Sequence, residues 1–173
     1  MYNISVCMAT YNGIIFIEQQ LTSILNQLSE HDELIVVDDC STDGTAEYIR
    51  KLNDKRIAIY VNSKNEGPCY SFGKSMTLAN NDFIVLSDQD DVWTEGRLKC
   101  MYTQLLASNA YLLSSNQVQI DYKSNQIIDS SLPLKACDSE KCIKNIYNMF
   151  LGRIGYYGCT MMIKRQLLDI VLP

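Results

Sequence analysis

Histidine occurs once in these 173 residues, as His31, and basic residues are in the minority, 15 against 20 acidic ones, for a net charge of −5. A single histidine excludes a histidine-rich zinc centre and a Ser-His-Asp triad. Lying between a helical and an extended pattern, His31 reads as a solvated loop residue. The shortage of positive charge argues against nucleic acid as a partner. No run of roughly 18 apolar residues is present, so no spanning helix is expected. Met1-Tyr2-Asn3 lacks the basic start of a secretory signal. Internal repeats, low-complexity tracts and linkers are also missing. What remains is an ordinary globular composition, 47% hydrophobic and 20% charged. A chain of this length forms one domain that buries roughly two-thirds of its unfolded surface. The seven cysteines are odd in number and scattered (Cys7, Cys40, Cys69, Cys100, Cys137, Cys142, Cys159). They read as thiols rather than a disulfide scaffold, which favours a reducing, cytoplasmic compartment. Cys137 and Cys142 are close, but no second pair has metal-binding spacing. An acidic protein with an anionic ligand must meet it through a metal, helix N-termini or one or two placed cations.

Hydrophobic periodicity alternates strand and helix from the start. Ile4–Ala9 is a buried strand, ended by the turn Thr10-Tyr11-Asn12-Gly13. Ile17, Leu21, Ile24, Leu25 and Leu28 then share a helical face. Leu34–Val37 is a continuous apolar run, as in a strand covered on both sides. A short helix carries Ala46, Ile49 and Leu52; a strand runs Ile57–Val61; a helix runs from Pro68 to about Ala79, with proline in its first turn. Phe83–Leu86 is the fourth strand, and Leu98, Met101, Tyr102, Leu105 and Leu106 mark the next helix. This is a mostly parallel α/β sheet with helices on both faces. After Ala110 the rhythm changes. Tyr111–Ile120 reads as a strand paired with Gln126-Ile127-Ile128 across a Lys123-Ser124-Asn125 turn, followed by a loop over Ser130–Asp138. A helix over Glu140–Phe150, a strand over Cys159–Ile163 and a helix over Arg165–Val171 complete the pattern.

In open α/β sheets, ligands bind at the carboxyl ends of the strands. Three strands here end in polar clusters: Thr10-Tyr11-Asn12, Asp38-Asp39 and Asp88-Gln89-Asp90-Asp91. Asp38-Asp39 can be read as a helix N-cap. The clustered carboxylates at one sheet edge repel one another unless a cation or hydrogen-bond donors compensate. Hard oxygen ligands suit Mg²⁺ or Mn²⁺, which bind through one or two carboxylates plus ligand phosphates. The pattern therefore points to a divalent metal presenting a phosphorylated ligand.

These residues resemble a known family. Val36-Val37-Asp38-Asp39-Cys40-Ser41-Thr42-Asp43-Gly44-Thr45 is similar to the VVDDxSTDGT signature of family 2 glycosyltransferases. Leu86-Ser87-Asp88-Gln89-Asp90-Asp91-Val92-Trp93 resembles the LSDQDDVW form of their DXD motif, associated with a rhamnosyltransferase-like subgroup. Val6–Gly13 and Gly158–Met162 resemble their opening strand and a later strand. The resemblance implies a GT-A (Rossmann-like) fold and metal-dependent, inverting sugar transfer. The donor would be a UDP- or dTDP-linked sugar, and the acceptor a saccharide or lipid-linked molecule in cell-surface polysaccharide synthesis. It also implies the site. Thr10, Tyr11, Asn12, Asp38, Asp39, Asn65, Gly67 and Asp88 would hold the nucleotide, with Asp39 bonding the base. Asp90, with Asp88, would bind Mn²⁺ or Mg²⁺. Asp91 and Trp93 would border the donor sugar and the acceptor cleft.

Two departures from the family pattern stand out. After Asn65-Glu66-Gly67 the subgroup carries a basic residue followed by Asn-Phe; this chain has Tyr70-Ser71-Phe72, so a cation is missing unless Lys64 or Lys74 replaces it. The acidic motif that supplies the family's general base is not matched either, Asp169 lying inside a helical pattern. The expectation is one GT-A catalytic domain over residues 1–173, C-terminally truncated, with a nucleotide-sugar half over 1–109 and the start of an acceptor-side half over 110–173. Peripheral membrane association of the full-length enzyme at the inner face of the plasma membrane, and a homodimer, are further expectations. The alternative function is a nucleotide-sugar-binding module without transferase activity. A phospho-receiver domain and a haloacid-dehalogenase-type phosphatase fit less well, because their acidic residues follow different strands.

Overall fold

The computed structural model describes residues 3–121, 123–127, 133–135 and 141–172, without the side chains of Cys142 and Val171. Six strands form one sheet in the order β3-β2-β1-β4-β6-β5. They are β1 (Ile4–Thr10), β2 (Glu33–Asp38), β3 (Ile57–Val61), β4 (Phe83–Ser87), β5 (Leu112–Ser114) and β6 (Met161–Lys164). The helices are α1 (Ile14–Leu25), α2 (Thr45–Lys51), α3 (Pro68–Leu78), α4 (Arg97–Ala107), α5 (Cys142–Phe150) and α6 (Leu168–Val171). β1 pairs in parallel with β2 and β4, and β2 with β3. β6 is inserted antiparallel between β4 and β5.

The apolar runs become strands covered on both faces. In β1, Ile4, Val6 and Met8 point into one core with Ile17, Leu21 and Ile24 of α1 and Leu98, Met101 and Leu105 of α4. Cys7 points the other way, to Ile35, Ile84, Ala79 and Leu168. Alternation between two buried faces is why the sequence shows no polar–apolar rhythm here. Burial raises the Cys7 thiol to about 12, so it is a packed hydrophobe, not a nucleophile. It is one of five cysteines free among the described residues.

The first four strands and their helices match the sequence expectation closely; the later part differs. β5 has three residues rather than the ten of Tyr111–Ile120. Beyond Ser114 the chain leaves the sheet, and Asn116 ties itself to the backbone of Leu134 through Nδ2 (3.0 Å) and Oδ1 (2.6 Å). The expected turn does form. Ile120 bridges Gln126, and Asp121 accepts from the backbone N–H groups of Lys123 and Asn125. Gly158–Thr160 is a short 3-10 turn before β6, and Arg165–Leu167 another before α6. Ile128, most of the Ser130–Asp138 loop, Cys137 and the Glu140 start of the next helix lie outside the described residues. His31 is exposed, as a loop residue should be. No helix among the described residues is long and apolar enough to cross a membrane.

Candidate active site

β2 and β3 extend the sheet to one side of β1 and β4 lies on the other, so the order reverses between β1 and β4. A crevice opens at such a switch point, beyond the strands' carboxyl ends. The three polar clusters meet there, and most of their side chains hold loops.

Asp38 is fully buried; it accepts from Thr10 Oγ1 (2.9 Å), the Ser41 N–H (2.9 Å) and Ser41 Oγ (2.6 Å). Asn12, at φ +47°, accepts from the Thr42 N–H, and its own N–H donates to Ser41 Oγ. Asp43 accepts from the N–H groups of Ile14 and Thr45, while Thr45 Oγ1 takes the Gly13 N–H. The Asp-Asp-Cys-Ser-Thr-Asp-Gly-Thr stretch therefore laces the β1–α1 turn to the β2–α2 turn. Neither Asp38 nor Asp39 caps α2: its N-cap is Gly44 in the left-handed region (φ +96°), which corrects the capping alternative.

Asp39, 3% exposed, reaches sideways instead. Its Oδ1 accepts from Asn62 Nδ2 (2.8 Å) and the Glu66 N–H (2.9 Å), and its Oδ2 from the Gly67 N–H (2.8 Å). Burial raises its pKa, but the hydrogen bonds from Glu66, Asn62, Gly67 and Ser71 outweigh burial and hold it below the usual carboxylate range. Gly67 sits at φ +89°, which lets the chain present this N–H. Asn65 is exposed, and Lys64 pairs with Glu66 at the surface.

Three residues to which the sequence assigned no role hold the acidic loop. Gln89 clasps the Tyr11 backbone at both ends of its amide, accepting its N–H (2.9 Å) and donating to its C=O (3.0 Å). That leaves the Tyr11 ring half-exposed at the crevice. The clasp needs Gly13, because a Cβ there would lie 2.2 Å from Gln89 Oε1. Gln20, fully buried on α1, donates to Ser87 Oγ (2.6 Å) and to the Asp88 C=O (3.0 Å). Ser23 Oγ receives the Trp93 N–H. Trp93 itself is a core residue, 4% exposed, and does not border the cleft. A buried glutamine inside an apolar helical stripe was the one available signal for Gln20.

With the loop so held, Asp88, Asp91 and Cys159 bring one ligand atom each within 4.8 Å of one another. Asp90 stays outside this group and is exposed. Burial, then the neighbouring Asp91 and Asp90 charges, raise the pKa of Asp88, against a hydrogen bond from the Cys159 thiol. Burial and Asp90 likewise raise Asp91, opposed by Cys159 and by Arg97. Two carboxylates of raised proton affinity, facing each other, fit a hard divalent cation. The thiol does not: burial and the two acids raise its pKa far above neutrality, so it acts as a hydrogen-bond donor. Arg97 stacks on the Trp93 ring, 4.6 Å from its centroid, and donates to the Cys159 C=O, joining α4 to the turn before β6. Asp90, Asp91 and Arg97 face Gln117, Val118 and Thr160 across a cavity of about 530 Å³. Its volume is that of a small-molecule site. Thr10, Asn12, Asp38, Asp39 and Gly67 thus form one hydrogen-bonded frame, with the Tyr11 ring beside it. Asp88 and Asp91 form a carboxylate pair next to the cavity, while Asn65 and Asp90 stand at the exposed edge.

The family model described as Glycosyl transferase family 2 matches residues 5–171. Among curated proteins, the dTDP-rhamnosyl transferase RfbG of Shigella flexneri is 33% identical, over 93% of this chain and 55% of its own length. The chain spans about half to two-thirds of the length of the first curated relatives it matches. Among solved structures, S. aureus TarS 1-349 in complex with UDP superposes with a TM-score of 0.75 at 21% identity, over 99% of this chain and 49% of that one. The mannosyltransferase PcManGT from Pyrobaculum calidifontis, in complex with GDP-Man and Mn²⁺, gives 0.70 at 20% identity, over 98% and 46%. At these identities the likeness shows the fold, which is GT-A.

Proposed function

The chain belongs to glycosyl transferase family 2, and from that premise we propose that it binds a UDP- or dTDP-linked sugar together with Mn²⁺ or Mg²⁺ and serves inverting sugar transfer in cell-surface polysaccharide synthesis. The observation that carries this reading is the carboxylate pair Asp88–Asp91, held beside a sugar-sized cavity at the sheet's switch point. Supporting it, TarS binds UDP, PcManGT binds GDP-Man with Mn²⁺, and RfbG is a dTDP-rhamnosyl transferase.

In this reading Tyr11 packs on the base and Asp39 accepts its ring N–H. Thr10, Asn12 and Asp38 fix the turn that carries Tyr11, while Asn65 and Gly67 close the outer edge of the nucleotide. Asp88 and Asp91 would hold the cation, with exposed Asp90 as a further ligand. A bound Mn²⁺ or Mg²⁺ would act as a Lewis acid toward the leaving diphosphate. Asp91 and Arg97, which line the cavity, border the sugar. Among the described residues the only carboxylates lining the cavity are Asp90 and Asp91, both engaged in this scheme. In this scheme no described residue is assigned the proton of the acceptor, a saccharide or lipid-linked alcohol.

The test is release of UDP or dTDP from the corresponding sugar nucleotides. We expect slow, Mn²⁺-dependent hydrolysis by water that Asp91→Ala abolishes. Tight Mn²⁺-dependent binding with no turnover of any donor, even with acceptor extracts, would support the alternative, a nucleotide-sugar-binding module.

A further inference from the structure

The nucleotide side of the site contains a half-buried cation that the mechanism above leaves unused. Lys74, on the second turn of α3, is half-buried, and its Nζ donates to Asn62 Oδ1 at 2.8 Å. It has no ion-pair partner among the described residues. A half-buried ammonium held by one neutral oxygen is unusual, because the desolvated charge normally finds a carboxylate.

What lies beyond Asn62 explains the placement. Asn62 is 6% exposed, and its Nδ2 donates both to Asp39 Oδ1 (2.8 Å) and to Ser71 Oγ (3.0 Å). An amide has one acceptor end and one donor end, so Lys74 on the oxygen forces the NH₂ toward Asp39. The result is a chain from ammonium to amide to carboxylate. The positive charge also polarises the amide, which strengthens the bond that Asp39 receives. Asp39 and Lys74 favour the same orientation of the amide from its two ends, so losing Lys74 removes one of its two restraints. The flipped one would set a carbonyl oxygen against the Asp39 carboxylate.

We propose that Lys74 is a positioning residue for the nucleotide pocket: acting through Asn62, it fixes Asp39 as an ionised acceptor and so sets a preference for bases with a ring N–H donor, uracil or thymine, over cytosine. Uracil presents N3–H where cytosine presents a bare N3 lone pair, which a carboxylate repels. The basic residue expected between Gly67 and Phe72 is absent, and the charge arrives instead from one turn further along α3. This inference rests on the reading that Asp39 meets the base.

The experiment is calorimetric titration of UDP and CDP, both in Mn²⁺, into the wild-type protein, Lys74→Met and Lys74→Arg, with thermal melting of each. Wild type should bind UDP at least about tenfold more tightly than CDP. Lys74→Met should lose about tenfold in UDP affinity while CDP changes little, and Lys74→Arg should restore most of the difference. Equal losses for UDP and CDP in Lys74→Met would overturn the assignment, since a merely structural lysine affects both alike. So would an unchanged UDP affinity. If Lys74→Met melts too low to titrate, Lys74→Arg decides: a folded arginine variant without the UDP preference also overturns it. Wild-type protein that binds neither nucleotide overturns the donor-site reading and this one together, whereas wild type that binds UDP and CDP equally overturns only the positioning role.

Discussion

The loops that end β1, β2 and β4 hold one another through side chains from distant parts of the chain, whereas the described residues between β5 and β6 bond mostly within that segment. In the first region Asp39, Asp43, Gln20 and Gln89 each bind backbone groups of another loop, and Asp38 accepts from the Thr10 hydroxyl. In the second, Asp121 serves its own exposed turn, and α5 carries Ile143 and Phe150 at 86% and 87% exposure. The loop after β4 and the segment beyond β5 both line the cavity. A donor nucleotide, the same in every turnover, suits a frame set before binding, because preorganised groups lose less freedom when the ligand arrives. The other wall is left to loops, where substrate-specific contacts usually lie.

The largest effect should follow from the first region's carboxylate pair. Asp88→Asn and Asp91→Asn should each cut Mn²⁺-dependent UDP affinity by about 100-fold or more. The variants should fold, since removing one of two facing charges relieves repulsion in the metal-free protein. Calorimetry in Mn²⁺ checks the first statement and melting in EDTA the second.

Next in size is Asp39→Ala, which strands the Glu66 and Gly67 N–H groups and the Asn62 amide in a buried place. A cost of about 3 kcal/mol is expected, beyond the about 1 kcal/mol of a lost cap. Its counterpart Asp121→Ala, which also loses several hydrogen bonds, should barely move the urea midpoint, because water replaces them. Similar losses for the two would erase the contrast between the regions.

A smaller effect tests the clasp. Gly13→Ala should cost about 1–2 kcal/mol by expelling the Gln89 amide from the Tyr11 backbone. In the background of Gln89→Ala it should cost much less, a non-additivity that a double-mutant cycle detects. Additive losses would mean that the two residues act separately.

The smallest effect is on acid sensitivity. The Arg56 guanidinium beside Asp54 lowers its pKa to about 2, and hydrogen bonds hold Asp39 and Asp43 below the usual carboxylate range. These folded values lie below the unfolded ones, so the stability they contribute is present above the ordinary carboxylate pKa and is lost as pH falls through the folded values. For Asp54 that window runs from about 4 down to about 2. Asp54→Asn should flatten urea midpoints across it, and an unchanged slope would remove this pair from the account.

Much of the first region was legible in the sequence, for a physical reason. Continuous apolar runs such as Leu34–Val37 can be satisfied only by a strand covered on both faces, and carboxylates crowded at the ends of such strands announce a site. The lacing was not legible. Gln89 meets Tyr11 across 78 positions and Gln20 meets Ser87 across 67, and no local pattern encodes a partner that far away. Asp38-Asp39 could be read as a cap because local sequence favours it, yet Gly44 takes that place and frees both carboxylates to reach sideways. In the second region, the strand over Tyr111–Ile120 stopped at Ser114 because Asn116 found the Leu134 backbone, another long-range choice. The antiparallel insertion of β6 likewise depends on which sheet edge is open, and periodicity carries no such information.

The central claim is that this frame exists to hold a nucleoside diphosphate through a cation on the Asp88–Asp91 pair. Its most direct test is a thermal-shift panel of UDP, dTDP and GDP, each in Mn²⁺ and in EDTA, on wild type and Asp88→Asn. Ligand that binds only the folded state raises the melting temperature. The account predicts stabilisation of wild type by UDP or dTDP in Mn²⁺ alone, and none for Asp88→Asn. Equal stabilisation in EDTA, or an undiminished shift in Asp88→Asn, would contradict it.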